Sequence, residues 1–106
     1  MSVDETLLSE VVRRILTVSH PNRIILFGSA ATGQMTKDSD LDILVVEPQP
    51  GDTRDRSVKI RRALGDVRYP VDVIVMSSER FEATKNLIGG IAYPACKYGY
   101  ALYEAA

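Results

Sequence analysis

Gly28, Ser29, Asp40 and Asp42 lie within fifteen residues of one another, and their types suit the handling of a polyphosphate. Gly28 has no Cβ, so the backbone there can pass close to a bulky ligand. Ser29 and the amides after it can donate hydrogen bonds to phosphate, most strongly if a helix starts there. Ten residues further on come Asp40 and Asp42, which on a strand would send both carboxylates to the same face. Two carboxylates side by side repel each other unless a proton or a cation sits between them. Oxygen ligands at this spacing suit Mg²⁺ or Mn²⁺, and Mg²⁺ typically shares its sphere with substrate phosphates. A third acid, Asp72, interrupts the apolar run Tyr69-Pro-Val-Asp-Val-Ile-Val-Met76. A charge buried within a strand is costly without a partner. Three acids in strand contexts beside a Gly-Ser turn therefore read as a two-metal site for phosphoryl or nucleotidyl transfer.

The elements that must hold these residues can be read in order. Leu7, Leu8, Val11, Val12, Ile15 and Leu16 recur at helical spacing, with Ser2 and Glu5 as a capping box and His20-Pro21 as the stop. His20, the only histidine, is assigned a surface or capping role. Arg23–Phe27 is a short strand closed by Gly28, and Ala30–Gln34 has room for a turn or two of helix. In Leu41–Val46, Leu41, Ile43 and Val45 face one side, while Asp42, Leu44 and Val46 face the other, continuing the side of Asp40. Both sides turn apolar beyond the acids, which predicts a central strand. Asp52 or Thr53 caps a helix that runs to Leu64 and stops at Gly65. After the strand Val71–Met76, Ser77 or Ser78 caps a helix to about Asn86, anchored by Phe81. Gly89-Gly90 breaks the chain, Ile91–Lys97 forms a short helix with Pro94 near its start, and Tyr100–Tyr103 forms an edge strand. This predicts an α/β (α+β) fold, a mixed sheet carrying the three aspartates with helices packed against it, and residues 1–106 as a single domain.

Composition sets the bounds. A chain of 106 residues, 45% hydrophobic, can bury a core and is too apolar to be disordered. The net charge of -1 argues against bulk electrostatic attraction to nucleic acid. One cysteine, Cys96, excludes an internal disulfide, fits a reducing cytoplasm and is expected to be a small buried residue. The N-terminus has neither a basic region nor an apolar core of the signal-peptide kind, and no apolar run approaches the ~20 residues of a membrane span. A cytoplasmic location is the expectation. Six of the thirteen basic residues fall between Arg54 and Arg68, which reads first as a solvated helix face and second as an edge for a nucleotide or an acidic partner. Lys37 reads as a solvated loop lysine within possible reach of a triphosphate. Tyr93, Tyr98, Tyr100 and Tyr103 crowd the C-terminal end, where they pack on the sheet or meet a partner.

Gly28-Ser29, ten residues, then Asp40-Leu41-Asp42 with Ser39 before them and a later strand aspartate resemble the minimal nucleotidyltransferases of the polymerase-β-like superfamily. The resemblance covers about Ile24 to Met76, and Ala101-Leu-Tyr-Glu104 is similar to that family's ending. Ala31 and Gly33 fit the pattern, whereas Thr32 stands where many relatives carry arginine. The resemblance implies two Mg²⁺ ions on Asp40, Asp42 and Asp72, with Mn²⁺ as a substitute. It also implies that Gly28 and Ser29 hold the phosphates of a nucleoside triphosphate, ATP first among them. Asp72 would bind the ion next to the attacking hydroxyl and help take its proton. Such domains often act as the antitoxin beside a small helical HEPN-type toxin, and some transfer AMP to a toxin tyrosine. So short a chain leaves little to build a second, acceptor-binding domain, so an acceptor carried by another protein is expected, without membrane or nucleic acid. Two other readings stand beside this one: a non-catalytic module that binds its partner or senses nucleotide, and a small-molecule nucleotidyltransferase completed by a second chain.

Overall fold

The computed structural model describes residues 5–32, 40–65, 67 and 70–105. In order the elements are α1 (Glu5–Leu16), β1 (Arg23–Phe27), α2 (Ser29–Thr32), β2 (Leu41–Glu47), α3 (Thr53–Leu64), β3 (Val71–Ser77), α4 (Ser78–Thr84), α5 (Ala92–Tyr98) and β4 (Tyr100–Glu104). The expected mixed sheet is present, with strand order β3-β2-β1-β4. β2 pairs antiparallel with β1 and parallel with β3, so it is the central strand its two-sided hydrophobicity predicts. The Ser2 cap, Gly33, Lys37, Ser39 and Arg68 fall outside the described residues.

The alternation along β2 separates two cores. Leu41, Ile43 and Val45 join Ile24 and Leu26 of β1 and Val73 and Val75 of β3 under the apolar faces of α1 and α3. The α1 face is Leu7, Val11 and Ile15; the thinner α3 face is Ile60 and Leu64, with Val58 left partly in solvent. On the other side, Leu44 and Val46 pack with Ile25, Met76, Phe81, Ala92 and Ala95, under α4 and α5.

Local signals set the ends of these helices. The Asp52 side chain accepts from the amides of Arg54 and Asp55, and the Gly65 amide closes α3 on the Arg61 carbonyl. Arg14 of α1 donates to the Leu64 carbonyl, supplying positive charge at the α3 C-terminus. Ser77 caps α4 through the Arg80 amide. Gly99 lets α5 turn directly into β4, because a Cβ there would lie 2.2 Å from the Ala95 carbonyl oxygen and 2.7 Å from Ile25.

Cys96 and part of the tyrosine cluster depart from the first sequence reading. Cys96 is exposed. The seven-residue α5 meets the sheet through Ala92 and Ala95, and Cys96, one step further round, is carried outward. The tyrosines also divide: Tyr103 packs against the α1–α3 core, whereas Tyr98 and Tyr100 are 58% and 59% exposed. His20 is exposed, as expected.

One buried charge closes the far end of β2. Glu47 is buried and receives Arg56 Nε at 3.1 Å and Nη2 at 2.9 Å, while Ser19 donates to the same carboxylate. Arg56 also donates to the Val18 carbonyl at 2.7 Å, so the pair ties the first turns of α3 to β2 and to the segment after α1. Burial pushes the Glu47 carboxyl up, but the hydrogen bonds from Arg56 and Ser19 outweigh it and leave the group below its ordinary value of 4.5. A depressed native value means that the unfolded state binds more protons, so stability rises with pH through this window. The Glu47 contribution is complete above 4.5 and is lost as pH falls through the native value. Arg56→Ala is expected to cost about 3 kcal/mol, because it strands a buried carboxylate. Urea denaturation at neutral and acidic pH checks both: the mutational cost should shrink as Glu47 protonates. A constant cost would show that Arg56 acts through packing alone.

Candidate functional site

The strand directions bring the polar residues to one end of the sheet. β1 runs against β2, so Phe27 at its end lies opposite Asp42 near the start of β2. β3 runs with β2, so Asp42 is in register with Asp72. In a parallel pair, residues in register leave the same face, which sets these two carboxylates side by side. That face also carries Leu44 and Val46, whose core under α4 and α5 begins further along the strand. Asp42 is half-buried, while Asp72 on the outer strand is more than half exposed. The sequence reading put both Asp40 and Asp42 within the strand; in the structure β2 begins at Leu41, between them. Asp40 is exposed and stands just outside the ladder, beside the bond from the Leu41 amide to the Pro70 carbonyl at 2.9 Å.

The electrostatics follow from this arrangement. Asp42 is pushed above its ordinary value by burial first, then by the negative charges of Asp72 and Asp40. All three aspartates therefore belong to one like-charge group. Carboxylate oxygens are the donor type that hard divalent cations take, but among the described residues no three such side chains are placed as a metal-holding set.

Gly28 is required by the same carboxylate. Its φ is +72°, and a Cβ placed there would lie 2.3 Å from Asp42 Oδ2. The glycine thus serves the packing of the acid, in addition to any approach by a ligand. α2 begins at Ser29, directly after it, so the helical start expected at the Gly-Ser turn is present.

Two neighbours were not singled out from the sequence. Phe27 flanks Asp42 from β1. Arg61 approaches Asp72, with Nη2 3.6 Å from Oδ1. Arg61 belonged to a basic run read as a solvated face. The signal was the β2–α3–β3 crossover itself: its helix runs back against parallel strands and ends beside the start of β3. An apolar hollow of about 630 Å³, lined by Leu8, Val12, Leu26, Ala30, Ala31 and Leu102 among others, belongs to the α1 side of the sheet. It lies on the face opposite Asp42, and no aspartate is among the described residues that line it.

Residues 6–92 match the sequence profile of the nucleotidyltransferase domain, and the chain belongs to that family. No curated protein matches the sequence. Among solved structures, a candidate nucleotidyltransferase from Sulfolobus solfataricus superposes with a TM-score of 0.65 at 22% identity, covering 93% of this chain and 78% of that one. A toxin-antitoxin crystallised with AMP-PNP gives 0.62 at 19% identity, covering 92% and 73%. A mutant of the toxin-antitoxin MntA-HpeT gives 0.60 at 17% identity, covering 97% and 75%. These likenesses establish the shared fold.

Two substitutions test the geometry. Gly28→Ala should destabilise by roughly 1–3 kcal/mol, through positive φ and through the clash with Asp42. Thermal denaturation would measure it, and an unchanged melting temperature would contradict the close approach. Asp42→Asn should do the reverse in metal-free buffer. A raised native value makes the folded state hold the proton longer, so this group costs stability as pH rises above 3.8. Solvent screening keeps the gain from Asp42→Asn below about 1 kcal/mol. It should be present at neutral pH and absent in acid; a loss of stability would instead mark Asp42 as half of a structural ion pair.

Proposed function

We propose that the domain transfers a nucleoside monophosphate, AMP from ATP in the first instance, to a hydroxyl on a partner protein. In this reading it is the antitoxin of a toxin–antitoxin pair whose toxin is a small helical protein of HEPN type. The observation that carries the reading is Asp42 in register with Asp72 and packed on Gly28, within a chain matching the nucleotidyltransferase domain over residues 6–92. The toxin-antitoxin structures that share the fold support the biological setting, and the one containing AMP-PNP supports an adenine nucleotide.

Asp40, Asp42 and Asp72 would hold the divalent cations, Mg²⁺ or Mn²⁺, which when bound offset negative charge on the triphosphate. Gly28 leaves room for the phosphate chain beside the backbone, and Ser29 donates to a phosphate oxygen. Asp72, more accessible than its strand neighbour Asp42, accepts the proton of the incoming hydroxyl. The hydroxyl oxygen bonds to the α-phosphorus as the bond to the bridging oxygen breaks, and pyrophosphate leaves. The protein's contribution is mainly orientation and charge.

Specificity for a protein acceptor comes from surface contacts. Tyr100 pairs with Leu26, so the exposed Tyr98–Tyr100 corner lies at the same end of the sheet as Phe27 and Asp42. Leu87 and Ile88, 59% and 86% exposed, add apolar surface in the segment between α4 and α5. The partner is expected to present a tyrosine hydroxyl to Asp72.

Incubation of a co-purified partner with Mg²⁺-ATP should add about one AMP to its intact mass, since the transferred group stays on the acceptor. Ser29→Ala should slow the transfer while sparing the complex. By calorimetry, ATP should bind more weakly in EDTA than in Mg²⁺. An unchanged partner mass, with Asp40→Asn still neutralising the toxin, would exclude transfer and leave contact alone as the antitoxin mechanism.

A further inference from the structure

Arg61 has no task in the reaction just described. α3 packs on one face of the sheet through Ile60 and Leu64, whereas Asp72 leaves the other face. The Arg61 side chain therefore reaches round the outer edge of β3 to stand 3.6 Å from Asp72. The two side chains are 56% and 52% exposed, so the contact is weak and can open and close readily. Asp42, the neighbour in register, interacts only unfavourably with Asp72 and Asp40. Among the described residues, no three His, Cys, Asp or Glu side chains are placed as a set able to hold a metal ion.

An oxygen facing a guanidinium cannot give the same lone pairs to a second positive charge. Resting on the proposed transferase reading, we propose that Arg61 is a positioning residue that competes with a divalent cation for Asp72. It offsets part of the like-charge repulsion when no cation is bound and releases the carboxylate as the cation enters. The exposure of both partners makes the release inexpensive, so Arg61 tunes affinity without blocking the site. Its position at the end of α3, on the open edge of the sheet, gives the guanidinium solvent to swing into.

The test is Mn²⁺ binding by the whole chain without nucleotide, read from the electron paramagnetic resonance signal of free Mn²⁺. Arg61→Gln should bind Mn²⁺ about two- to fivefold more tightly than the wild type, the range expected for loss of an exposed ion pair. Arg61→Lys keeps the charge and should stay close to the wild type. Arg62→Gln removes the same charge one residue along the helix and should change affinity less than Arg61→Gln. Equal gains from the two glutamine variants would reduce the effect to net charge and overturn the proposal. No gain from Arg61→Gln, or a lysine variant binding as tightly as the glutamine one, would overturn it as well. Asp72→Asn separates the two levels of the argument. If it weakens Mn²⁺ binding while Arg61→Gln does nothing, only the role of Arg61 fails. If Asp72→Asn leaves Mn²⁺ binding unaltered, the metal-holding role of Asp72 fails, and that of Arg61 with it.

Discussion

The in-register parallel pairing of β2 with β3 is the constraint on which the rest depends. It sets Asp42 beside Asp72 and at the same time divides the apolar residues of both strands between two cores. A slip of one residue would send Asp72 to the α1–α3 side and Val71 or Val73 to the aspartate side. The register is thus enforced by the burial of Val73, Val75 and Met76, none of which belongs to the site. Hydrophobic packing supplies the energy that keeps two like charges adjacent.

β2 carries acids near both ends, and they meet opposite fates. Glu47 is buried but receives Arg56 and Ser19, so its carboxylate is favoured. Asp42 is less buried and meets two further acids, so its carboxylate is disfavoured. Depth alone does not separate the structural acid from the candidate functional one; the sign of the neighbouring charges does. The same strand is anchored at the Glu47 end and electrostatically uncompensated at the Asp42 end. A protein tolerates such local destabilisation where the surrounding packing overdetermines the geometry.

Much of this was legible in the sequence, for identifiable reasons. The two-sided hydrophobicity beyond Asp42 announced a central strand, and Asp52, Gly65 and Ser77 marked helix ends through local chemistry that needs no tertiary partner. Asp72 was singled out beside Asp42 because an aspartate that interrupts an apolar strand needs a partner. Contacts made across the fold were hidden. The burial of Glu47 was hidden because its partner Arg56 lies beyond a turn, and Arg61 read as solvated because the outer face of a helix gives no sign of which edge it overhangs. Cys96 was misjudged because residue-type burial is a poor guide in a seven-residue helix held by only two alanines. Asp40 fell outside the strand for a boundary reason: the ladder begins with the bond from the Leu41 amide to the carbonyl of Pro70, a partner distant in sequence that no local pattern reveals.

The placement of the acids at a sheet end has a further consequence for the proposed chemistry. On the β1 side, Asp42 is flanked by Phe27, itself packed against the core beneath α4 and α5. On the β3 side the sheet ends, and among the described residues Asp72 is about half exposed, with the long side chain of Arg61 beside it. Access is therefore asymmetric: the closed flank suits a ligand held in a fixed pose, and the open flank suits one that comes and goes with a carrier. A triphosphate seated near Gly28 and Ser29 and an acceptor arriving over β3 would meet across Asp42 and Asp72 without either having to pass the other. Such a division needs no enclosing second domain, since the outer edge of one four-stranded sheet already provides both a wall and an entrance.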